Sequence, residues 1–222
     1  VYNYIELREE LEKEGEIFKT KTDTEVILAA YKKWGRDCVK KFNGMWAFAI
    51  YDSKNKILFC SRDHYGIKPF YYTRKENVFL FGSEIRQLLF SFEKPIMNEE
   101  VVRNFLFASV NESVDKTFFK NIVKLPGGHN LTINLKTGKI EIEEYYSLER
   151  DLALSTLPME ESIEKFGEDF LKSIKIRLRS DVVVGSCLSG GLDSSSVASI
   201  ASNIYKTDSG RNFSAITAVS EE

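Results

Sequence analysis

The C-terminal part of the chain has the pattern of a strand, a loop, a helix and a second strand. Asp181–Leu188 contains the β-branched run Val182-Val183-Val184, which is typical of a parallel strand buried on both faces. A helical segment from about Ser194 to Tyr205 follows, and then a second apolar strand at Phe213–Val219. Strand, helix and strand at this spacing predict one βαβ unit and therefore an α/β domain.

The loop between the first strand and the helix reads Ser189-Gly190-Gly191-Leu192-Asp193-Ser194-Ser195. Its two glycines let the backbone turn tightly and approach a bound group, and the N–H groups of the turn and the helix start predict an anion cradle. The hydroxyls of Ser189, Ser194 and Ser195 add donors for phosphate oxygens. Because Asp193 would repel phosphate, we interpret it as a ligand of the Mg²⁺ that accompanies a polyphosphate.

The loop is neither a Walker-type loop nor a dinucleotide fingerprint, since it lacks both Gly-Lys-Ser/Thr and GxGxxG. It resembles the PP-loop of the ATP pyrophosphatases, which grip the pyrophosphate of ATP while the α-phosphate is attacked. A plainer alternative is a Ser/Gly-rich turn in which Asp193 or Ser194 caps the helix N-terminus. The capping role and the phosphate role are compatible.

The rest of the chain has the pattern of an antiparallel α+β domain. A capping box at Thr22-Asp23-Thr24-Glu25 predicts the first helix. Short strands around tight turns predict three hairpins and an antiparallel sheet. The paired strands are Met45–Tyr51 with Ile57–Ser61, Pro69–Thr73 with Val78–Gly82, and Leu131–Asn134 with Lys139–Tyr145.

Three further helices and a domain boundary are predicted. Two of the helices are Glu84–Leu89 and Glu99–Ala108. The third is amphipathic, with an apolar stripe at Ile163, Phe166, Phe170, Ile174 and Leu178. A polar stretch precedes it, so we place the boundary near Ser155–Met159 and the domains at 1–156 and 157–222.

Composition excludes several classes of function. The 31 Lys and Arg residues nearly balance the 33 Asp and Glu residues, so no field of one sign favours nucleic acid or an acidic membrane. No apolar stretch approaches the length that crosses a bilayer. Cys38, Cys60 and Cys187 are widely spaced without a CxxC pair, which excludes a disulfide framework or zinc site and indicates a cytoplasmic protein.

The order of motifs resembles the glutamine-hydrolysing asparagine synthetases along nearly the whole chain. The landmarks are Val1-Tyr2-Asn3, Thr22–Ile27, Gly44–Ala49, Arg62–Pro69, Leu125–His129 and Ser189–Ser195. The resemblance implies an α+β sandwich of the N-terminal-nucleophile glutaminase type, followed by the start of an α/β PP-loop synthetase domain. It implies that glutamine releases ammonia, that ATP adenylates the side-chain carboxylate of aspartate, and that ammonia displaces AMP to give asparagine.

The resemblance also implies residue roles and ligands. Asp23 would hold the α-amino group of glutamine, although a helix first turn favours any acidic residue. Met45 would line the ammonia passage, or simply fill a gap in the core. Leu188 and Ile216 would contact adenine, although both would be buried strand residues in any α/β sheet. ATP and Mg²⁺ are the implied cofactors; glutamine, aspartate and ATP are the small-molecule partners, and a homodimer is compatible with the family.

The chain departs from the family at its ends. The family's nucleophile is an N-terminal cysteine whose own α-amine acts as the base, but residue 1 is Val, so no catalytic residue is assigned. The oxyanion-hole Asn-Gly is expected before Val1 and the acceptor pocket beyond Glu222. We therefore expect this polypeptide alone not to hydrolyse glutamine or complete asparagine synthesis.

Three points stay open from the sequence. The same machinery could act on another carboxylate, such as a sugar acid. The chain could instead be a non-catalytic nucleotide-binding module, although the intact loop argues against this. Arg62 and Asp63 could be a catalytic couple, but we expect a buried ion pair that shapes the turn.

Overall fold

The computed structural model describes residues 1–109 and 115–219. The chain divides into two compact units, one of Val1 and Asn3–Leu148 and the other of Tyr2 and Glu149–Glu222. The domain limits 1–156 and 157–222 stay a prediction. Across the described residues, no helix is both long enough and apolar enough to cross a membrane.

Two helices open the first unit. α1 (Tyr4–Lys13) is not predicted by the sequence pattern, because it is rich in charges and buries only Leu7 and Leu11, one turn apart. α2 (Asp23–Trp34) is confirmed as a helix and buries Val26 and Ala30 against α1. The two helices form one layer of this unit.

The predicted capping box sets the start of α2. The Thr22 hydroxyl accepts a hydrogen bond from the Glu25 amide at 3.4 Å. The Glu25 carboxylate does not reach back to the cap residue; it accepts hydrogen bonds from the amides of Lys19 and Thr20 at 2.8 and 2.7 Å. These bonds tie the preceding loop to the helix and lower the pKa of the Glu25 carboxyl. They also fix the position of Asp23, the first residue of the helix.

Two antiparallel sheets form the body of the first unit. One has the strand order β1-β2-β6-β7 and the other β4-β3-β5. The strands are β1 (Ala47–Asp52), β2 (Ile57–Arg62), β3 (Tyr71–Lys75), β4 (Val78–Gly82), β5 (Val123–Lys124), β6 (His129–Asn134) and β7 (Ile140–Glu144). The three predicted hairpins and the α+β class with antiparallel sheets are therefore confirmed. The helices α3 (Arg86–Leu89) and α4 (Glu99–Ala108) follow β4.

The alternation of side chains along β2 separates two core layers. Phe59 belongs to the cluster that packs with α1 and α2. Its neighbour Cys60 belongs to a second cluster, with Phe70 and Leu125 from the segments beside the three-stranded sheet. Successive residues of a strand point to opposite faces, so the four-stranded sheet is covered on both sides. Burial raises the pKa of the Cys60 thiol to about 12, which excludes it as a nucleophile.

The second unit contains α5 (Met159–Arg177), β8 (Gly185–Cys187), α6 (Leu192–Ser209) and β9 (Ser214–Ile216). β8 and β9 pair in parallel, which confirms the predicted βαβ unit. The strand predicted over Asp181–Leu188 is much shorter, and its expected burial is wrong: Val182 is 73% exposed. The stripe of α5 is also incompletely buried: Phe166 is 70% exposed, Ile163 is exposed as well, and of the five residues only Ile174 is buried. A sheet of two strands covers too little surface to bury these apolar faces.

His64 lies in an aromatic cluster of the first unit. Its ring centroid is 5.1 Å from that of Trp46, 5.7 Å from that of Tyr145 and 4.3 Å from that of Tyr146. Burial lowers the pKa of His64 from its ordinary value of 6.5, and the neighbouring Asp63 opposes this shift only in part. These contacts support a structural role for His64.

We expect the stability of the first unit to fall below about pH 6.5 because of His64. The folded chain favours the neutral imidazole, so the unfolded chain binds a proton first as the pH decreases. Urea unfolding at a series of pH values, followed by the fluorescence of Trp34 and Trp46, measures this loss. His64→Phe retains an aromatic ring and should give a shallower dependence on pH. The same slope in both proteins would contradict the assignment.

Gly127 brings the turn before β6 against the loop after β2. A Cβ at this position would lie 2.6 Å from the amide nitrogen of Gly66 and 2.8 Å from the carbonyl carbon of Tyr65. Neither backbone atom can move without shifting the loop. We therefore expect Gly127→Ala to lower the free energy of unfolding by about 1–3 kcal/mol, measured by urea unfolding. Gly82→Ala is the control, with a smaller loss, because its Cβ would meet the flexible end of Gln87.

Candidate functional site

The glycine- and serine-rich loop joins β8 to the N-terminus of α6. Gly190 has φ +84°, a conformation that favours glycine, and Gly191 is the N-cap, without a side-chain hydrogen bond. The plainer alternative, in which Asp193 or Ser194 is the N-cap, is therefore wrong. Ser194 Oγ instead donates to the Gly191 carbonyl at 3.1 Å and accepts from the Ser189 amide at 3.3 Å. The two serine hydroxyls lie 3.0 Å apart and brace the loop.

The loop leaves a row of backbone donors open. The first amide of this segment with a helical partner is that of Ser195, which donates to the Gly191 carbonyl at 3.1 Å. In the part of the chain that the structure describes, the N–H groups of residues 190–194 donate to no protein acceptor. A helix N-terminus carries about half a positive charge, and unsatisfied N–H groups there bind anions. The arrangement can therefore accept a phosphate or pyrophosphate group.

The two residues expected beside adenine lie next to each other. The Leu188 amide donates to the Ile216 carbonyl at 2.8 Å, which extends the parallel pairing of β8 and β9 up to the loop. Ile216 is 75% exposed, so the alternative of an ordinary buried strand residue is wrong for it. The structure thus brings Leu188, Ile216 and the loop together at one end of the parallel pair. Ligands of α/β sheets usually bind at this end.

Asp193 lies in the first turn of α6. Within residues 1–109 and 115–219, no group of three or more His, Cys, Asp or Glu side chains could hold a metal ion. A single carboxylate does not make a resident metal site. It does fit Mg²⁺ that arrives with a nucleotide, because Mg²⁺ is commonly held by one or two carboxylates together with phosphate oxygens and water.

A second candidate site lies in the first unit, beside the start of α2. It is a cavity of about 520 Å³, and the residues that line it include Asp23, Met45, Trp46 and Lys68. The Asp23 carboxylate accepts a hydrogen bond from the nitrogen of Val1 at 2.7 Å. The structure therefore brings Asp23 and Met45 to the same cavity. Trp46 and Lys68 are not singled out by the sequence, although both lie within the quoted landmarks.

A larger groove of the first unit, of about 930 Å³, holds none of the predicted site residues. Its lining includes both cations and anions, among them Arg36, Lys139, Asp52 and Glu141. Opposite charges at this density compensate each other and select no ligand class. Size alone therefore does not make this groove a functional site.

The comparisons with known proteins agree with the two units. Residues 1–146 match the family model described as glutamine amidotransferase domain, and residues 165–221 match that described as asparagine synthase. The putative glutamine-hydrolyzing asparagine synthetase 2 of Methanocaldococcus jannaschii is 43% identical over 203 residues, which cover 90% of this chain and 38% of that protein. The glutamine-hydrolyzing asparagine synthetase 3 of Bacillus subtilis is 36% identical over 212 residues, with coverage of 94% and 33%.

A relative with a different name matches over the same region. The amidase chyE of Penicillium rubens is 33% identical over 208 residues, which cover 93% of this chain and 30% of that protein. The chain thus spans about a third of the length of these curated relatives. The resemblance drawn from the motifs is confirmed. The chain belongs to the glutamine amidotransferase family through residues 1–146, and residues 165–221 of its second unit are similar to asparagine synthase.

Proposed function

We propose that this chain is the part of a glutamine-dependent asparagine synthetase that binds glutamine in its first unit and the pyrophosphate of ATP in its second. The open row of N–H groups at residues 190–194 is the observation that carries the proposal. The family supports glutamine-dependent amide formation in general. In the proposed reaction of the whole enzyme, ATP and aspartate form an acyl-adenylate, and ammonia from glutamine displaces AMP.

The loop would stabilise the pyrophosphate that leaves when aspartate attacks the α-phosphate. Donors that are already oriented toward a developing negative charge stabilise it without reorganising during the reaction. The N–H groups of residues 190–194 are supported in this role by Ser189 and Ser194, which hold the turn through each other. Ser195 would add its hydroxyl as a further donor. Asp193 would hold Mg²⁺, which supplies charge neutralisation to the phosphates when bound.

The apolar pair beside the loop would receive the adenine ring. Leu188 and Ile216 are joined by a backbone hydrogen bond, and the exposed side chain of Ile216 offers a surface to a flat base. A nucleotide whose phosphates lie on the loop would therefore find an apolar contact for its base at the neighbouring strand ends.

In the first unit, Asp23 would bind the α-ammonium group of glutamine. A carboxylate at the edge of a cavity of about 520 Å³ can make a charge-assisted hydrogen bond to such a group. In the structure its partner is the nitrogen of Val1, at 2.7 Å. Met45 lines the same cavity and would give neutral ammonia an apolar wall to pass.

A second candidate acceptor is a carboxylate other than aspartate. The observation in its favour is that a relative named as an amidase matches this chain over the same region as the asparagine synthetases. The match of this chain therefore does not by itself select the acceptor. A non-catalytic module that no longer handles pyrophosphate is disfavoured, because it would have little use for open N–H groups beside Asp193.

Asp193→Ala should weaken Mg²⁺-dependent ATP binding by about tenfold or more, because it removes the proposed protein ligand of the metal. Titration calorimetry with ATP, in the presence of Mg²⁺ and of excess EDTA, measures the effect. The control is Asp208→Ala, which removes a carboxylate near the other end of α6 and should leave ATP affinity unchanged. Equal ATP affinities for the two variants would rule out the role of Asp193.

Asp23→Asn should weaken glutamine binding by roughly 10- to 150-fold, which corresponds to a charge-assisted hydrogen bond of about 1.5–3 kcal/mol. Titration of the chain with L-glutamine, followed by calorimetry or NMR, measures the dissociation constant. Asp37→Asn is the matched control, since Asp37 is exposed and pairs with Lys40 at 2.7 Å outside the cavity. An unchanged dissociation constant in Asp23→Asn would remove Asp23 from the glutamine site.

A further inference from the structure

Asp63 is fully buried, and within the part of the chain that the structure describes its carboxylate accepts hydrogen bonds from four backbone N–H groups. One oxygen accepts hydrogen bonds from the amides of Tyr65 at 3.2 Å and Ile67 at 2.9 Å. The other accepts from Lys68 at 2.9 Å and from Trp46 at 3.3 Å. Its side chain has no exposed surface, so it cannot contact a substrate. A catalytic role for this carboxylate is therefore excluded.

Two of these four amides belong to residues from different segments of the cavity lining. Trp46 lies just before β1, and Lys68 lies in the loop after β2; both line the cavity that contains Asp23. The same Asp63 oxygen binds both of them. The Asp63 amide also donates to the Trp46 carbonyl at 2.9 Å. One carboxylate thus joins two segments of the cavity lining.

Arg62 holds the same loop by donating hydrogen bonds to backbone carbonyl groups. Its guanidinium donates to the carbonyls of Gly66, Lys68 and Leu125 at 2.6, 2.7 and 2.6 Å. The sequence predicts an Arg62–Asp63 ion pair that shapes this turn. In the structure, hydrogen bonds to the backbone hold the turn: the Arg62 guanidinium binds carbonyl groups and the Asp63 carboxylate binds amides. The loop has no regular secondary structure between Asp63 and Phe70, so these side chains replace a strand ladder.

We propose that Asp63 is the positioning residue of the glutamine cavity: by binding Trp46 and Lys68 with one oxygen, it fixes the opening into which glutamine inserts beside Asp23. The inference rests on the proposed glutamine site. It follows that Asp63→Asn disturbs the cavity without a change in side-chain size. The amide group has one acceptor oxygen, and its NH₂ group would face backbone N–H donors, which breaks the link between the two lining segments.

The test compares Asp63→Asn with Asp52→Asn. Asp52 is a matched control because its carboxylate also accepts two backbone amides, from Lys54 and Asn55 at 3.1 and 2.9 Å, in a turn that borders the larger groove. L-Glutamine is titrated into each variant well below its unfolding temperature. Asp63→Asn should raise the glutamine dissociation constant by about tenfold or more, while Asp52→Asn should leave it unchanged. A folded Asp63→Asn variant that binds glutamine as the parent does would overturn the proposal.

A measurement on the unaltered chain covers the case in which Asp63→Asn does not fold. Hydrogen exchange followed by NMR should show that saturating glutamine slows exchange at the amides of Trp46 and Lys68 but not at those of Lys54 and Asn55. Glutamine binding without this protection would overturn the positioning role and leave the proposed function intact. Failure of the unaltered chain to bind glutamine would overturn the proposed function and this inference together.

Discussion

A backbone N–H group needs an acceptor, from the protein when it is buried and from water or a ligand when it is exposed, and the two units of this chain differ in which of these they provide. In the first unit, Asp63 supplies the acceptor from within the protein and binds four amides at once. In the second unit, the amides of residues 190–194 receive no acceptor from the described protein and remain exposed. The first arrangement fixes the shape of a cavity, and the second leaves a site for an anion.

Local sequence patterns predict an element of the fold correctly where residues close in the chain also determine which side chains are buried. The hairpins of the first unit could be predicted because strand alternation and turn residues act over a few positions. The bounds of α4 agree with the predicted helix for the same reason. α1 could not be found by a search for a broad apolar stripe, because packing against α2 requires only Leu7 and Leu11. Their spacing of four residues is the signal that could have revealed it.

The run Val182-Val183-Val184 illustrates why burial is harder to predict than strand formation. β-branched residues favour extended backbone, but their burial depends on other segments that cover both faces of a sheet. β8 has β9 as its neighbour, and the strand itself begins only at Gly185. The same holds for α5, whose periodicity predicts the helix correctly while Ile163 stays 63% exposed. Periodicity identifies the element; tertiary neighbours decide what is buried.

The two candidate sites also differ in how far they could be predicted from the sequence. The loop at Ser189–Ser195 could be predicted because its strand, glycines and helix start are contiguous in sequence. The cavity could not be assembled from local patterns: Asp23 and Met45 entered only through the family resemblance. The partners of Asp63 lie 17 residues away at Trp46 and within five residues at Lys68. No periodic pattern relates such positions, so only the three-dimensional structure shows that the amides of Trp46 and Lys68 share one oxygen of Asp63.

The near balance of charge makes these local arrangements decisive for ligand choice. With 31 basic and 33 acidic residues, the chain has a formal charge of −2 and no strong overall field to steer a ligand. Interactions between exposed charges are screened beyond about 8 Å at physiological salt. Selection of an ammonium group or a polyphosphate must therefore come from groups in direct contact with it. The chain has two such groups: a carboxylate at the rim of a cavity, and oriented N–H groups at a helix start. The carboxylate would attract an ammonium group and repel a phosphate, and the N–H groups would do the reverse.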